Sequence, residues 1–140
     1  MDLKKYMYEY DIVFIKGNPN SGSPQQHLQI NKSIIELIKS YRYTIVESTQ
    51  SSTKYIKSIP KAKIYLGFSR GSRYLNRLNK NSLKLSIGGI IGSNIRNFTN
   101  IEDRVLSGDI SNESMHAHFI ILEKDKLKIK SLISDFLKHS

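Results

Sequence analysis

The chain has 140 residues, 39% of them apolar, no cysteine, a net charge of +10 and a pI of about 9.8. That length fits one domain over residues 1–140, and the apolar fraction suffices for a packed core. The lack of cysteine excludes a disulfide framework, a thiol nucleophile and a zinc–thiolate centre, and no apolar run approaches the ~18 residues of a transmembrane helix. Met1-Asp2-Leu3-Lys4-Lys5-Tyr6 has no apolar segment of signal-peptide type, so the expected compartment is the cytoplasm, with no membrane partner.

Ile12-Val13-Phe14-Ile15, within Asp11 to Lys16, is a short unbroken apolar run of the kind a strand buried on both faces requires. It runs into the turn formers Gly17-Asn18-Pro19-Asn20-Ser21-Gly22-Ser23-Pro24. A helix follows, with Ser23 as N-cap, Pro24 at its first position and Gln26 completing a capping box. Ile30, Ile34, Leu37, Ile38 and Tyr41 recur at helical spacing and give it one apolar face.

Tyr43 to Glu47 reads as a second strand. Ser52 or Thr53 starts a short helix that Pro60 ends. Ala62 to Leu66 is a third strand, Arg70 to Leu78 a helix, and Leu83 to Ile87 a fourth strand closed by Gly88-Gly89. An irregular polar stretch with Asn94, Asn97, Thr99 and Asn100 comes next. Val105 to Asp109 has the pattern of a strand end, and Phe119-Ile120-Ile121-Leu122 is a further apolar run. A final helix over about Asp125 to His139 carries Ile129, Leu132, Ile133, Phe136 and Leu137 on one face.

Alternating strands and helices predict right-handed crossovers and an α/β architecture of three layers: a mostly parallel sheet with helices on both faces. Sites in such sheets form at the C-terminal ends of the strands. The Gly17-Asn18 turn and Ser69 both fall just past strand ends.

The basic charge invites a nucleic-acid reading. That reading is disfavoured here because the lysines do not cluster. Lys124, Lys126, Lys128 and Lys130 recur at every second residue, which spreads charge around a helix instead of along one stripe. No helix-turn-helix, RNP-like or zinc-finger pattern is present.

Gly67-Phe68-Ser69-Arg70-Gly71 is the strongest motif. It joins a buried strand directly to a helix. A sharp turn at that junction strains the central residue and lifts its side chain above the sheet, and glycine two positions before and after lets strand and helix approach closely. The Ser69 hydroxyl then sits at a helix N-terminus, where developing negative charge is stabilised. A plain N-cap serine is the alternative, but it has no need of flanking glycines.

With these two segments in place, the chain resembles an α/β-hydrolase. Val13 to Ser21 looks like that family's strand followed by its His-Gly-Asn-Pro type loop, with Lys16 where the family has His. The Ser69 segment looks like the nucleophile elbow, and the last helix resembles the one that closes the family fold. The chain is shorter than a usual member, the shortfall lying after the fourth strand, where cap domains and lid helices insert.

The resemblance implies a serine hydrolase acting on a small acyl substrate, with no cofactor. Ser69 is then the nucleophile, and the backbone N–H groups of Arg70 and Asn18 form the oxyanion hole. The Asn18 loop could equally be an ordinary turn. The base must be a histidine. His27 and His139 read as surface residues, which leaves His116 and His118; two apart on an extended stretch, they face opposite sides, so one alone can reach Ser69. His118 is preferred because a His-Phe pair leading into the last helix looks like the family's pattern. Both can also be structural, and a His-x-His metal site lacks convincing carboxylates. Asp109 is the expected acid, with Asp103, Glu102 and Glu113 behind it and a turn aspartate as its plain alternative.

Tyr41, Tyr43, Tyr55 and Tyr74 read as core residues before pocket residues. Arg70 and Arg73 could bind an anionic group of the substrate, or simply be solvated. Two rival functions stand beside the hydrolase: a binding protein on a hydrolase scaffold that has lost catalysis, and a basic nucleic-acid-binding domain. So short a chain also leaves room for pairing into a homodimer that covers sheet edges.

Overall fold

The computed structural model of the chain describes residues 8–17, 24–50, 52–87, 98–100 and 122–139. In chain order these form β1 (Tyr10–Ile15), α1 (Pro24–Ile38), β2 (Tyr43–Val46), α2 (Thr53–Ser58), β3 (Ala62–Phe68), a 3₁₀ helix (Ser69–Arg77), β4 (Leu83–Ile87), β5 (Phe98–Asn100) and α3 (Lys126–Lys138). The five strands make one sheet in the order β2-β1-β3-β4-β5, and every pairing is parallel. The architecture is therefore α/β, as the alternation of elements predicts.

The strand order fixes the layers. The chain steps from β1 outward to β2, then crosses back to β3 and continues to β4. Crossovers of one hand put the helices of opposite steps on opposite faces. On one face, Ile30, Ile34, Leu37 and Ile38 of α1 and Ile129 and Ile133 of α3 pack on Ile12, Phe14, Ile64, Leu66 and Leu85. On the other, Ile56 and Ile59 at the end of α2, and Tyr74 and Leu75 of the 3₁₀ helix, pack on Val13, Ile15 and Tyr65. Ile12, Val13, Phe14 and Ile15 are fully buried because both faces of β1 are covered.

The short helix α2 starts where its sequence says. The Ser52 hydroxyl accepts a hydrogen bond from the Tyr55 N–H at 3.1 Å, which satisfies one of the open donors of the first turn. Ser23, the expected cap of α1, lies outside the described residues. The tyrosines behave as core residues: Tyr41 and Tyr43 pack against the α1/α3 core, Tyr55 and Tyr74 against the α2/3₁₀ core.

Three expectations need correction. Strand β3 runs to Phe68, two residues past Leu66, so it delivers the chain to Ser69 with no intervening loop. The segment after it is a 3₁₀ helix from Ser69 to Arg77, where the sequence reading expected an ordinary helix from Arg70 to Leu78. Weak helix formers (Ser69, Gly71, Ser72, Asn76) leave the segment free to take the tighter winding. Three residues per turn puts Gly71, Ser72, Tyr74 and Leu75 inward and Arg73 and Asn76 outward. Finally, Phe98, Thr99 and Asn100, read as irregular, form β5 against Lys84, Leu85 and Ser86. A three-residue strand with two polar positions carries no periodic signal.

Lys84 sits on buried β4 with 2% of its surface exposed, and its ammonium donates to the Leu78 carbonyl at 3.4 Å, at the C-terminal end of the 3₁₀ helix. A cation at that end complements the helix dipole. Burial, reinforced by Lys80, holds the Lys84 amine below the ordinary lysine value of 10.5. Between its lowered value and 10.5 the unfolded chain therefore binds more protons than the folded one, so this group makes stability rise with pH across that window alone. Lys84→Met is expected to be more stable than wild type at pH 7 by about 1 kcal/mol and to lose that alkaline rise, as urea melts across a pH series would show.

Candidate active site

Strand β1 has β2 on one side and β3 on the other, so the strand order reverses between β1 and β3. In open parallel sheets the crevice outside the carboxyl ends of such a pair is where ligands bind. Ile15 is in register with Gly67, which sets the two C-terminal ends side by side. The segments leaving them meet: a Cβ built on Gly17 would lie 3.2 Å from Phe68 Cδ1 and 3.5 Å from Ser69 Cβ.

Ser69 has φ +53°, the only positive φ of a non-glycine residue among the described residues. Serine has no intrinsic preference for this region, and such backbones cost of order 1–2 kcal/mol. What over-determines the turn is close packing of backbone on backbone. A Cβ on Gly67 would come within 2.9 Å of the Gly71 carbonyl and of Ser72 Cα. A Cβ on Gly71 would collide with the Ile15 carbonyl oxygen and reach within 2.9 Å of the Lys16 oxygen. The 3₁₀ helix thus rests directly on the ends of β3 and β1, and the chain can leave Phe68 only by a reverse kink at Ser69.

Ser69 and Arg70 are half-buried at the start of the 3₁₀ helix, whose first N–H groups have no acceptor within the helix and carry the positive end of its dipole. Arg73, one 3₁₀ turn on, is exposed.

Behind the turn lies a buried hydroxyl relay that the sequence reading did not single out. Ser86 Oγ donates to Ser72 Oγ at 2.7 Å, and Ser72 Oγ donates to the Gly67 carbonyl at 3.1 Å. Both serines are fully buried. The relay ties β4, the 3₁₀ helix and the strand end before Ser69 into one unit. Ser72→Ala leaves the Ser86 hydroxyl and the Gly67 carbonyl without this partner, so a loss of about 2 kcal/mol is expected in urea unfolding. Ser72→Ala combined with Ser86→Ala should cost less than the two single changes added together, because the orphaned hydroxyl is gone.

The loop after β2 is pinned to the same edge. Tyr55 Oη donates to the Glu47 carbonyl at 2.5 Å and Tyr74 Oη donates to the Gln50 carbonyl, while the two rings meet edge to face at 6.2 Å. Burial first, then the charge of Glu47 for Tyr55 and the neighbouring Tyr55 for Tyr74, holds both phenols above the ordinary tyrosine range, so both stay donors. Lys16 Nζ pairs with Glu47 Oε1 at 3.0 Å, joining the ends of β1 and β2.

The other expected site residues, Asn18, His116, His118 and Asp109, lie outside the described residues, as do Glu102, Asp103 and Glu113. His27 is half-buried in the first turn of α1, and His139 is exposed at the end of α3. Among the described residues, no group of three or more His, Asp or Glu could hold a metal ion. No helix of the described residues is long and apolar enough to cross a membrane. No protein-family model matches the chain, and a comparison with curated proteins returns no match.

Proposed function

We propose that the chain is a serine hydrolase of α/β-hydrolase type, cleaving a small ester, thioester or amide with Ser69 as nucleophile. One observation carries this reading: a serine held at φ +53° between a strand and a helix, beside Gly17 at the reversal of strand order. Strain of this kind at a surface turn has no structural use, since glycine would fill the position without cost.

In the proposed reaction, His118 (His116 being the alternative) takes the Ser69 hydroxyl proton as Oγ bonds to the acyl carbon. Asp109 orients the imidazole. The carbonyl oxygen, now negative, accepts from the Arg70 N–H and the Asn18 N–H. The leaving alcohol, thiol or amine departs with the proton from the imidazolium. Water then repeats the attack on the acyl-serine and releases the acid and free Ser69. An active-site-directed fluorophosphonate should label the protein, and Ser69→Ala should not be labelled. His118→Ala should cut the labelling rate by a factor of about 10³ while His116→Ala leaves it nearly unchanged; the reverse pattern would make His116 the base.

The second reading, a non-catalytic binding protein on the same scaffold, draws on Lys16. This residue stands where the resemblance expects a loop histidine, and its ion pair with Glu47 gives it a structural occupation instead. A folded protein that the fluorophosphonate does not label would favour it.

A further inference from the structure

Residues 48–101 contain ten lysines and arginines and no aspartate or glutamate; the rest of the chain carries twelve of each sign, so this stretch accounts for the whole net charge of +10. Within the described residues the stretch builds β3 and β4, whose side chains are largely buried, and α2 and the 3₁₀ helix, which cover one face of the sheet. Five of its ten cations are exposed on that face or on the turn beyond it. Lys54 and Lys57 are exposed on α2, Arg73 and Arg77 on the 3₁₀ helix, and Lys80 on the turn beyond it.

These two helices lie side by side. The Tyr55 and Tyr74 rings are in contact, and the Arg77 guanidinium donates to Thr53 Oγ1 at 3.4 Å. A repeat of three residues places Arg73 directly below Arg70 along the 3₁₀ axis, about 6 Å on at ~2 Å per residue. Two acids near the face are engaged: Asp11 lies 3.9 Å from Lys63, and Glu47 lies 3.0 Å from Lys16. The opposite face is mixed in sign, with Glu36 paired to Lys39 and Glu123 to Lys126.

Cations strung over two elements, converging on no single point, suit a polyanion better than a small anion. An anionic membrane surface would call for apolar side chains to insert. Those of α2 and the 3₁₀ helix are spent in the core, and the large exposed apolar residues among the described ones, Leu28 and Leu127, sit on α1 and α3 across the sheet. Cations that contact phosphates fix a protein's position on a duplex and carry no sequence information themselves. Against the expectation drawn from the lysine spacing at 124–130, we infer that the α2/3₁₀ face docks on the phosphate backbone of nucleic acid without reading its sequence, independently of the chemistry at Ser69.

The test is fluorescence anisotropy of a labelled mixed-sequence DNA duplex, titrated with the protein between about 50 and 200 mM salt. Micromolar binding is expected, with a slope of log K against log salt of about −4, matching four to five phosphate contacts at ~0.9 each. Lys54→Gln, Lys57→Gln, Arg73→Gln and Lys80→Gln together should flatten that slope by about three and weaken binding at 50 mM salt by roughly 100-fold or more. Lys32→Gln, Lys128→Gln, Lys130→Gln and Lys138→Gln remove as much charge from the other face and should weaken binding by less than about 10-fold. Melting curves of both variants confirm that each is folded. Absent binding, a slope near zero, equal weakening by the two sets, or capture by phosphatidylserine vesicles but not by DNA would each overturn the inference.

Discussion

Ser69→Gly is expected to abolish fluorophosphonate labelling and at the same time to make the protein harder to unfold. The two effects have one cause. At φ +53° the serine Cβ crowds its own carbonyl, whereas glycine occupies that region freely. Relief of about 1–2 kcal/mol is partly offset by the extra freedom glycine gives the unfolded chain, which leaves a gain of about 1 kcal/mol and a melting temperature higher by about 3 °C. Ser69→Ala keeps the Cβ and the strain, so it should lose labelling with little change in stability. A gain in stability without loss of labelling would detach the strain from any chemistry and leave Ser69 a tolerated oddity of the turn.

Gly71→Ala should be among the most damaging single-methyl additions in the chain. No positive φ marks Gly71, so the penalty is one of space alone. The added carbon would collide with the Ile15 carbonyl and crowd that of Lys16; Ile15 is paired with a strand on either side, and the Lys16 N–H donates to the Val46 carbonyl at 3.0 Å. A flexible side chain could rotate away; the end of a central strand cannot. Overpacking of this kind costs 1–3 kcal/mol where side chains yield, and about 3 kcal/mol or more is expected here, a drop of about 10 °C in melting temperature. Gly67→Ala meets the 3₁₀ helix backbone at 2.9 Å and should cost less, because a lift of a few tenths of an ångström relieves it, far less than the 2.3 Å contact at Gly71 demands. It should still slow fluorophosphonate labelling, since the lift moves the Arg70 N–H with it. Equal melting temperatures for Gly71→Ala and wild type would mean that the 3₁₀ helix does not rest on β1.

The strands that were legible are those whose runs are long and apolar. Ile12-Val13-Phe14-Ile15 and Ala62 to Leu66 cannot be placed anywhere but in the middle of a covered sheet, and they are there. The helix α1 was equally plain from its spaced isoleucines and leucines. The Gly-x-Ser-x-Gly spacing located the turn before any backbone angle was known, because the glycines answer to a steric demand that sequence records directly. Winding was less visible: inward residues at 71, 72, 74 and 75 satisfy a period of 3.0 as well as 3.6 over so short a span. β5 escaped because its edge pairing with β4 uses main-chain groups that Phe98, Thr99 and Asn100 do not advertise. The Ser72–Ser86 relay was hidden for a different reason. Serines look alike in sequence, and only the register of Gly67 with Ser86 brings these two together.

The pairing of Ile15 with Gly67 also has a temporal side. Between them the polypeptide makes a long excursion through α1, β2 and α2 before it returns to the strand it left. Closing that excursion is entropically dear, and nothing local rewards it in advance. A nascent or partly denatured chain that holds only its first β–α–β unit would have Gly17 at the end of β1 and no Ser69 beside it. The meeting of Gly17 with Ser69 is a property of the completed topology.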